Sequence, residues 1–178
     1  MVVLVKKELL NKVKEVKGNL LVIGVEDNQI IKEIEKNKQI TICNSLDSDI
    51  VTKNKKKGRS KRVSIKKIRR VFKKKKVDYI ICNVGQINKY MRYFIKDSVY
   101  IAKKEVILYG NINDYDLDVL VKRYKRYKVT VEIKTYKKDF ILTIDVEKAK
   151  NNRLKDMFYF IKDTFSEISD FITEVLVN

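Results

Sequence analysis

The sequence predicts an α/β protein with a mainly parallel sheet, helices on both faces of that sheet, a closing antiparallel hairpin and an added C-terminal amphipathic helix. Apolar runs of strand length alternate with amphipathic stretches of helical length, which is the pattern of a parallel sheet joined by helices. The last two strand patterns are separated only by Lys137 and Lys138, a link that suits an antiparallel hairpin. A chain of 178 residues is long enough for one such domain with a full core.

The first part of the chain contains a helix, a strand, a helix and a strand, predicted at residues 4–17, 20–25, 30–37 and 39–43. Gly18 ends the first helix pattern. The run at residues 20–25 is continuously apolar, as expected for a parallel strand that is buried on both faces. One of the three polar residues that follow it is expected to cap the second helix: Glu26, Asp27 or Asn28.

The later part contains a strand, a helix, a strand, a helix and two hairpin strands, predicted at residues 77–85, 87–103, 105–110, 113–127, 128–136 and 139–145. Asn113 or Asp114 is expected to open the helix that ends at Tyr127. The first hairpin strand alternates apolar and polar residues, which predicts one buried and one exposed face.

A basic segment, residues 53–76, carries most of the charge of the chain. It contains fifteen lysines and arginines and no acid, so it supplies +15 of the net charge of +18. Residues 53–62 are expected to form a flexible loop. Ser64 is expected to cap a short helix with an apolar face and with its basic side chains held outward. The apolar face consists of Ile65, Ile68, Val71 and Phe72.

Such a charge density predicts binding to a phosphate polyanion, because neutralised phosphates release their condensed counterions. Lysine is abundant throughout the chain, so the arginines are more informative, and four of the eight lie between positions 59 and 70. The candidate nucleic-acid contacts are Arg59, Lys61, Arg62, Lys66, Lys67, Arg69, Arg70, Lys73 and Lys74. The alternatives are a solvated insertion that aids solubility, or contact with an anionic membrane surface. A second basic group around residues 122–128 includes two tyrosines that would be available for stacking.

The composition excludes several classes of site. The chain has no histidine, which excludes imidazole chemistry and histidine-based zinc sites, and no metal site is predicted. Its two cysteines lie within predicted strands, so a disulfide framework is not expected. No apolar run is long enough to span a membrane, and the start of the chain does not read as a secretory signal. We therefore expect a cytoplasmic protein that does not insert into membranes.

The turn after the first strand reads Val22-Ile23-Gly24-Val25-Glu26-Asp27-Asn28. Together with the order of elements and the closing hairpin, this stretch resembles the class I S-adenosylmethionine-dependent methyltransferases over roughly residues 3–147. The resemblance implies a Rossmann-like domain at residues 1–150 that carries the basic segment as an insertion in place of one of the family's strands.

The cofactor motif of that family is poorly kept in this chain. In the family the first strand ends in an acid that begins the motif D/E-x-G-x-G-x-G, whereas this chain has Val22 in place of the acid and Gly24, Glu26 and Asn28 in place of the three glycines. Only Gly24 matches. By resemblance, the candidate contacts to S-adenosylmethionine are Gly24, Glu26, Asn44, Asp47 and Asn83. Asn83 also stands where many enzymes of the family begin the motif D/N-P-P-F/Y, so it is the candidate catalytic residue.

Each of these residues also has an ordinary structural interpretation. Gly24 suits a tight turn, Asn83 suits a helix cap, and Asp47 suits an exposed loop. Two functional classes follow from the sequence. One is a nucleic-acid-binding protein, for RNA before DNA, without a bound cofactor. The other is an active methyltransferase that acts on RNA or on a ribonucleoprotein. The departures from the motif favour the first.

Residues 151–178 predict a separate amphipathic helix. Its apolar residues repeat at alternating spacings of four and three, as in a heptad seam. They are Leu154, Phe158, Ile161, Phe165, Ile168, Ile172 and Val175. Such a seam packs on its own domain or pairs with a second copy or a partner protein through residues 154–175.

Overall fold

The sheet has eight strands in the order β4-β3-β2-β1-β5-β6-β8-β7. The structure is a computed structural model. It describes residues 3–36, 40–46, 49–54, 59–64, 68–72, 76–87, 90–113 and 115–149, together with 158–159, 161–162 and 165. The strands are Leu20–Ile23 (β1), Ile40–Leu46 (β2), Asp49–Asn54 (β3), Arg59–Ser64 (β4), Val77–Asn83 (β5), Ala102–Asn111 (β6), Thr130–Tyr136 (β7) and Asp139–Asp145 (β8).

The four central strands, β2, β1, β5 and β6, are parallel, as the apolar runs predicted. All four residues of β1 are buried, which requires a helical layer on each face of the sheet. The predicted hairpin of β7 and β8 is confirmed, and β8 pairs antiparallel with β6. Lys137, in the two-residue turn, has a φ of 59°.

The other edge of the sheet differs from the prediction. The expected loop at residues 53–62 is wrong for its described part, because β3 and β4 form an antiparallel pair that extends the sheet beyond β2. Ser64 is the last residue of β4 rather than a helix cap. The sheet therefore has an antiparallel pair at each edge, where the sequence predicted only one.

Among the residues that the structure describes, five helices cover the sheet: Val3–Glu15 (α1), Asn28–Lys36 (α2), Ile68–Val71 (α3), Met91–Ile101 (α4) and Leu117–Lys125 (α5). Apolar residues of α1 and α2 pack on one face of the sheet. Those of α3, α4 and α5 pack on the other, where Ile68 and Phe72 are buried as their spacing predicted. The prediction of helices on both faces is confirmed.

Short polar side chains cap α2 and α5. Asp27 caps α2, through hydrogen bonds that Oδ1 accepts from the amides of Gln29 and Ile30. Asp116 caps α5, since its Oδ1 accepts a hydrogen bond from the amide of Val119. The expectation that Asn113 or Asp114 opens this helix is therefore wrong, because the chain makes a turn at residues 112–113 and the helix begins only at Leu117.

The register of the strands defines two opposite edges of the sheet. At the amino-terminal edge lie the beginnings of the four parallel strands, the end of β3 and the beginning of β4. At the carboxyl-terminal edge lie the ends of the parallel strands and the turn between β7 and β8. The two basic groups that flank β7 in sequence are thus at opposite edges, because Lys128 precedes β7 and Lys137 follows it.

Of the predicted C-terminal helix, residues 158–159, 161–162 and 165 are described, and they are helical. The other residues of 151–178 lie outside the described part of the chain. Three residues of the heptad seam are exposed: Phe158, Ile161 and Phe165. Tyr159 lies under Arg126, with 5.0 Å from Cζ to the ring centroid. Within the ranges given above, every helix is too short or too polar to cross a bilayer.

Candidate functional site

The carboxyl-terminal edge of the sheet contains a switch point between β1 and β5. From β1 the chain continues to β2 on one side and later enters β5 on the other. In open α/β sheets, ligands bind in the crevice outside the carboxyl ends of the strands at such a point. Ile23 is in register with Cys43 of β2 and with Cys82 of β5. The next residues of the three strands, Gly24, Asn44 and Asn83, therefore follow one another along this edge.

Only glycine fits at position 24, because of its backbone conformation and because of its close neighbours. Its φ is +64°, in the left-handed region that favours glycine. A Cβ atom at this position would lie 2.6 Å from Cβ of Gln86, which is too close for any other residue. The turn after β1 is thus packed directly against the 3-10 helix, Val84–Gln86, that follows β5.

A hydrogen bond closes the crevice further. Nε2 of Gln86 donates to Oε1 of Glu26 at 2.8 Å, so side chains from the two sides of the switch point meet across it. Glu26 stands where the methyltransferase motif has a glycine. Its side chain contacts another part of the chain at the place where the family keeps room for a ligand.

Asn83 acts as a cap in this structure. Its Oδ1 accepts a hydrogen bond from the amide of Gly85 at 3.1 Å, at the start of the 3-10 helix. Of the other predicted cofactor residues, Asn44 lies on β2 in register with Val51 of β3, and Asp47 lies outside the described residues. The structure brings Gly24, Glu26 and Asn83 to one crevice and shows that each contacts or caps neighbouring parts of the chain.

The amino terminus of α2 is also satisfied from within the chain. In addition to accepting hydrogen bonds from the amides of Gln29 and Ile30, the carboxylate of Asp27 forms a salt bridge with Nζ of Lys6 at 2.8 Å. Burial opposes the charge of Asp27, but the hydrogen bonds from Lys6 and from the two amides outweigh burial and lower the pKa of the carboxyl. A helix amino terminus favours an anion, and here the carboxylate of Asp27 takes that position.

Sequence reasoning missed two residues of this crevice, Gln86 and Tyr109. Tyr109 is the register partner of Asn83 and is almost completely buried. Burial, together with the nearby carboxylates of Glu26 and Asp27, raises the pKa of its hydroxyl. The signal for Tyr109 was available, since it is a residue with a polar tip at the carboxyl end of an otherwise apolar strand pattern. Gln86 had no such signal, because its contact depends on the close approach of two turns.

Solved methyltransferase structures are similar to this chain in fold. The 16S rRNA N2 G1207 methyltransferase of T. thermophilus, in complex with AdoMet and guanosine, matches with a TM-score of 0.52 and 9% identity, over 80% of this chain and 38% of that one. An O-methyltransferase family protein from Burkholderia thailandensis matches with a TM-score of 0.50 and 8% identity, over 79% of this chain and 56% of that one. The chain has a methyltransferase-like fold.

The predicted fold resemblance is thereby confirmed. This chain spans less than two thirds of the length of either of those two proteins. No family model and no curated protein matches the sequence.

The residues of the crevice do not fit S-adenosylmethionine as they stand. Gln86 covers the glycine turn, Glu26 is bonded to Gln86, and Asp27 takes the anion position at α2. Val22 supplies no carboxylate at the end of β1. Among the ranges that the structure describes, no three histidine, cysteine, aspartate or glutamate side chains lie close enough together to hold a metal ion.

The candidate nucleic-acid residues fall on several elements. Arg59, Lys61 and Arg62 lie on β4, and Arg69 and Arg70 lie on α3. Lys66, Lys67, Lys73 and Lys74 lie outside the described residues. Arg69 departs from the expected outward orientation: it is half-buried, with its Cζ 3.7 Å from the ring centroid of Tyr100 on α4.

The second basic group does not offer its aromatic residues for stacking. Tyr124 is completely buried, and its hydroxyl is 3.0 Å from Oγ of Ser98. Tyr127 is also buried. Arg123 donates a hydrogen bond to the hydroxyl of Tyr115. Any contribution of this group to nucleic-acid binding is therefore through charge and not through base stacking.

We expect the variant Asp27→Asn to isolate the charge of Asp27, because asparagine caps helices as well as aspartate does. At pH 7 the variant should be less stable than the wild type by about 1 kcal/mol, through the lost interactions with Lys6 and with the helix terminus. The folded-state pKa of Asp27 is lowered, so this stability is present above the unfolded-state value of about 3.9 and is lost as pH falls through the folded-state value.

Urea unfolding of both proteins between pH 7 and about pH 2 measures the difference in the free energy of unfolding. The variant Lys6→Gln is a second measure of the same pair and should lose part of the same stability. Equal stability of wild type and Asp27→Asn at pH 7 would show that the charge at position 27 is not held as the contacts indicate.

Proposed function

We propose that this protein binds nucleic acid, RNA in preference to DNA, through its basic segment, and that it does not catalyse methyl transfer. The absence of methyl transfer is proposed because the crevice is closed: Gln86 packs over Gly24 and bonds to Glu26. Nucleic-acid binding is proposed because residues 53–76 contain fifteen basic residues and no acid. On this proposal, a methyltransferase-like fold has no room for the cofactor and carries the basic segment as a polycation.

The position of the basic segment supports a binding role over a passive one. In its described part, the segment includes the end of β3, all of β4 and α3. β4 is the last strand of the sheet, so one side of its backbone is not covered by another strand of that sheet. An array of cations on a strand and a docked helix loses less conformational entropy on binding than an array on a loose loop would.

The alternative function is an active S-adenosylmethionine-dependent methyltransferase that acts on RNA or on a ribonucleoprotein. It is favoured by the four parallel strands and the closing hairpin, which retain the order of the methyltransferase-like fold. One of the structural matches, the T. thermophilus protein, is an rRNA methyltransferase, which is consistent with an RNA partner under either proposal. Binding of the cofactor separates the two.

We expect no binding of S-adenosylmethionine tighter than ~1 mM, which corresponds to about 4 kcal/mol of binding free energy. The reason is that a ligand in the crevice would have to break the contact between Glu26 and Gln86 and would find no carboxylate at Val22. Isothermal titration of the folded protein measures this, and binding of RNA by the same preparation serves as the control for its integrity. A micromolar dissociation constant would contradict the proposal and favour the enzyme.

We expect the triple variant Arg59→Gln, Arg62→Gln and Arg70→Gln to lower the affinity for RNA at least tenfold at low salt. Arg69 is left in place because its contact with Tyr100 supports the packing of α3 on α4. Loss of three phosphate contacts should also lower the slope of log affinity against log salt by about 2 for a single strand. Fluorescence anisotropy with single-stranded RNA, across a series of salt concentrations, gives both quantities.

The matched control is Lys7→Gln, Lys137→Gln and Lys138→Gln. All three lysines are exposed and lie outside the basic segment, and their replacement removes the same net charge. This variant should bind almost as the wild type does. If the arginine variant and the wild type bind equally poorly, the segment is a solvated insertion and the proposed function is wrong. The same series with DNA tests the preference for RNA.

We further propose that residues 154–175 pair with a second copy of the chain, because Phe158, Ile161 and Phe165 are exposed on one heptad seam. The variant Ile161→Asp with Phe165→Asp should convert a dimer into a monomer, since two charges would be buried at the contact. Sedimentation and the midpoint of thermal unfolding are the measurements. A monomeric wild type would contradict assembly, and a large loss of stability in the variant would show that the seam packs on its own domain.

A further inference from the structure

The amino-terminal edge of the sheet gathers basic residues from the ends of five strands, β4, β3, β1, β5 and β6. The register aligns Leu20 of β1 with Ile40 of β2 and with Tyr79 of β5, and it aligns Tyr79 with Glu105 of β6. β3 ends at Asn54 and β4 begins at Arg59, and these two residues pair with each other at the same edge. Chain segments distant in sequence therefore meet along one line.

Each of these segments brings exposed lysines to that line. Lys17 precedes β1 by three residues, Lys76 comes directly before β5, and Lys103 and Lys104 lie at the start of β6. All four are exposed. In sequence, the chain between Asn54 and Arg59 is Lys55-Lys56-Lys57-Gly58. We define the amino-edge track as the basic residues at the described strand ends of this edge. They are Lys17, Lys53, Arg59, Lys76, Lys103 and Lys104.

The nearby acids are largely satisfied within the chain. Asp78 accepts a hydrogen bond from the amide of Asn19 at 2.7 Å and lies 3.4 Å from Nζ of Lys103. Glu105 is 3.7 Å from Nζ of Lys12, and burial raises the pKa of its carboxyl. Nζ of Lys104 lies 5.5 Å from the ring centroid of Tyr79, which holds this cation close to the edge.

The track ends between β6 and β8. Asp145, at the end of β8, and Glu147 are both exposed. Two exposed carboxylates repel phosphate, so they separate the lysines of β6 from Lys128 before β7. The basic line thus extends over six strands, from β4 to β6, a width of about 24 Å at roughly 4.8 Å per strand.

We propose that the phosphate backbone of RNA crosses the amino-terminal edge of the sheet and contacts Lys17 and Lys104, which lie outside the basic segment, together with Lys76, the last residue of that segment. This inference rests on the proposed function, since it assigns the rest of the surface on which the nucleic acid lies. The basic segment forms one part of the track, from β4 and β3 to Lys76 before β5, and the lysines before β1 and at the start of β6 complete it.

The location of the track places a bound nucleotide far from the crevice. The amino-terminal edge and the switch-point crevice are separated by the length of a strand, about 20 Å for the seven residues of β5. Hydrogen-bond and near-attack distances are about 3 Å, so a nucleotide held on the track has no reacting atom at Gly24 or Asn83. Binding on this edge is therefore independent of any ligand in the crevice.

The test compares Lys17→Gln, Lys76→Gln and Lys104→Gln with the control Lys7→Gln, Lys137→Gln and Lys138→Gln. The control lysines lie at or near the opposite edge: Lys137 and Lys138 join β7 to β8, and Lys7 follows Lys6, which pairs with Asp27 beside the crevice. Each variant loses three charges. The probe is a single-stranded RNA of about 12 nucleotides, within the usual size range of single-strand sites.

We expect the edge variant to lose at least tenfold in affinity at low salt and about 2 units of salt slope, and the control variant to lose little. Equal thermal unfolding midpoints establish that both are folded. If the edge variant matches the control while the arginine variant still loses affinity, the track is wrong and the proposed function stands. If all three variants lose affinity equally, binding follows net charge, and the assigned edge is wrong. If none differs from the wild type, both proposals fail.

Discussion

The burial of β1 on both faces is the constraint on which the rest of the molecule depends. Its four residues are Leu20, Leu21, Val22 and Ile23, and all are removed from water. Leu21 and Ile23 pack with α3, α4 and α5, whereas Leu20 and Val22 pack with α1 and α2. Each buried side chain of this size contributes about 1.5–3 kcal/mol, so neither helical layer can be lost without exposing half of the central strand. The same pairing of β1 with β2 and β5 fixes the switch point and both edges of the sheet.

Much of this architecture follows from periodicity, because parallel strands buried on both faces are continuous apolar runs. The runs at residues 20–25 and 77–85 and the hairpin around Lys137 were predicted on that basis, and their partners confirm it. The β3–β4 pair was not predicted. Its second strand, Arg59–Ser64, is half basic and lacks an apolar repeat, so its conformation is set by hydrogen bonds to β3 and not by a pattern that the sequence displays.

The candidate site shows the same division between local and non-local information. Its positions could be predicted, because Gly24 follows β1, Asn44 and Asn83 lie toward the ends of β2 and β5, and parallel strands end at one edge. Their contacts could not. The bond between Glu26 and Gln86 joins residues 60 positions apart, and the stacking of Arg69 on Tyr100 depends on how α3 docks against α4. Asp27 is intermediate: its capping role was one of three local choices, whereas the contact with Lys6, which lowers its pKa together with the capped amides, could not be predicted.

The two edges of the sheet differ in how their polar groups are satisfied, and this difference favours binding at the amino-terminal edge over binding in the crevice. At the carboxyl-terminal edge, Gln86, Asn83 and Asp27 bond to neighbouring parts of the chain, so little hydrogen-bonding capacity there is directed at a ligand. At the amino-terminal edge the internal bonds mainly satisfy acids, such as Asp78, and leave the positive charges in excess. Open α/β sheets bind their ligands outside the carboxyl ends of the strands, whereas in this chain the positive field of the exposed lysines lies at the amino-terminal edge. Because such a field acts on any polyanion, its selectivity must come from the shape and spacing of the phosphates and not from base recognition.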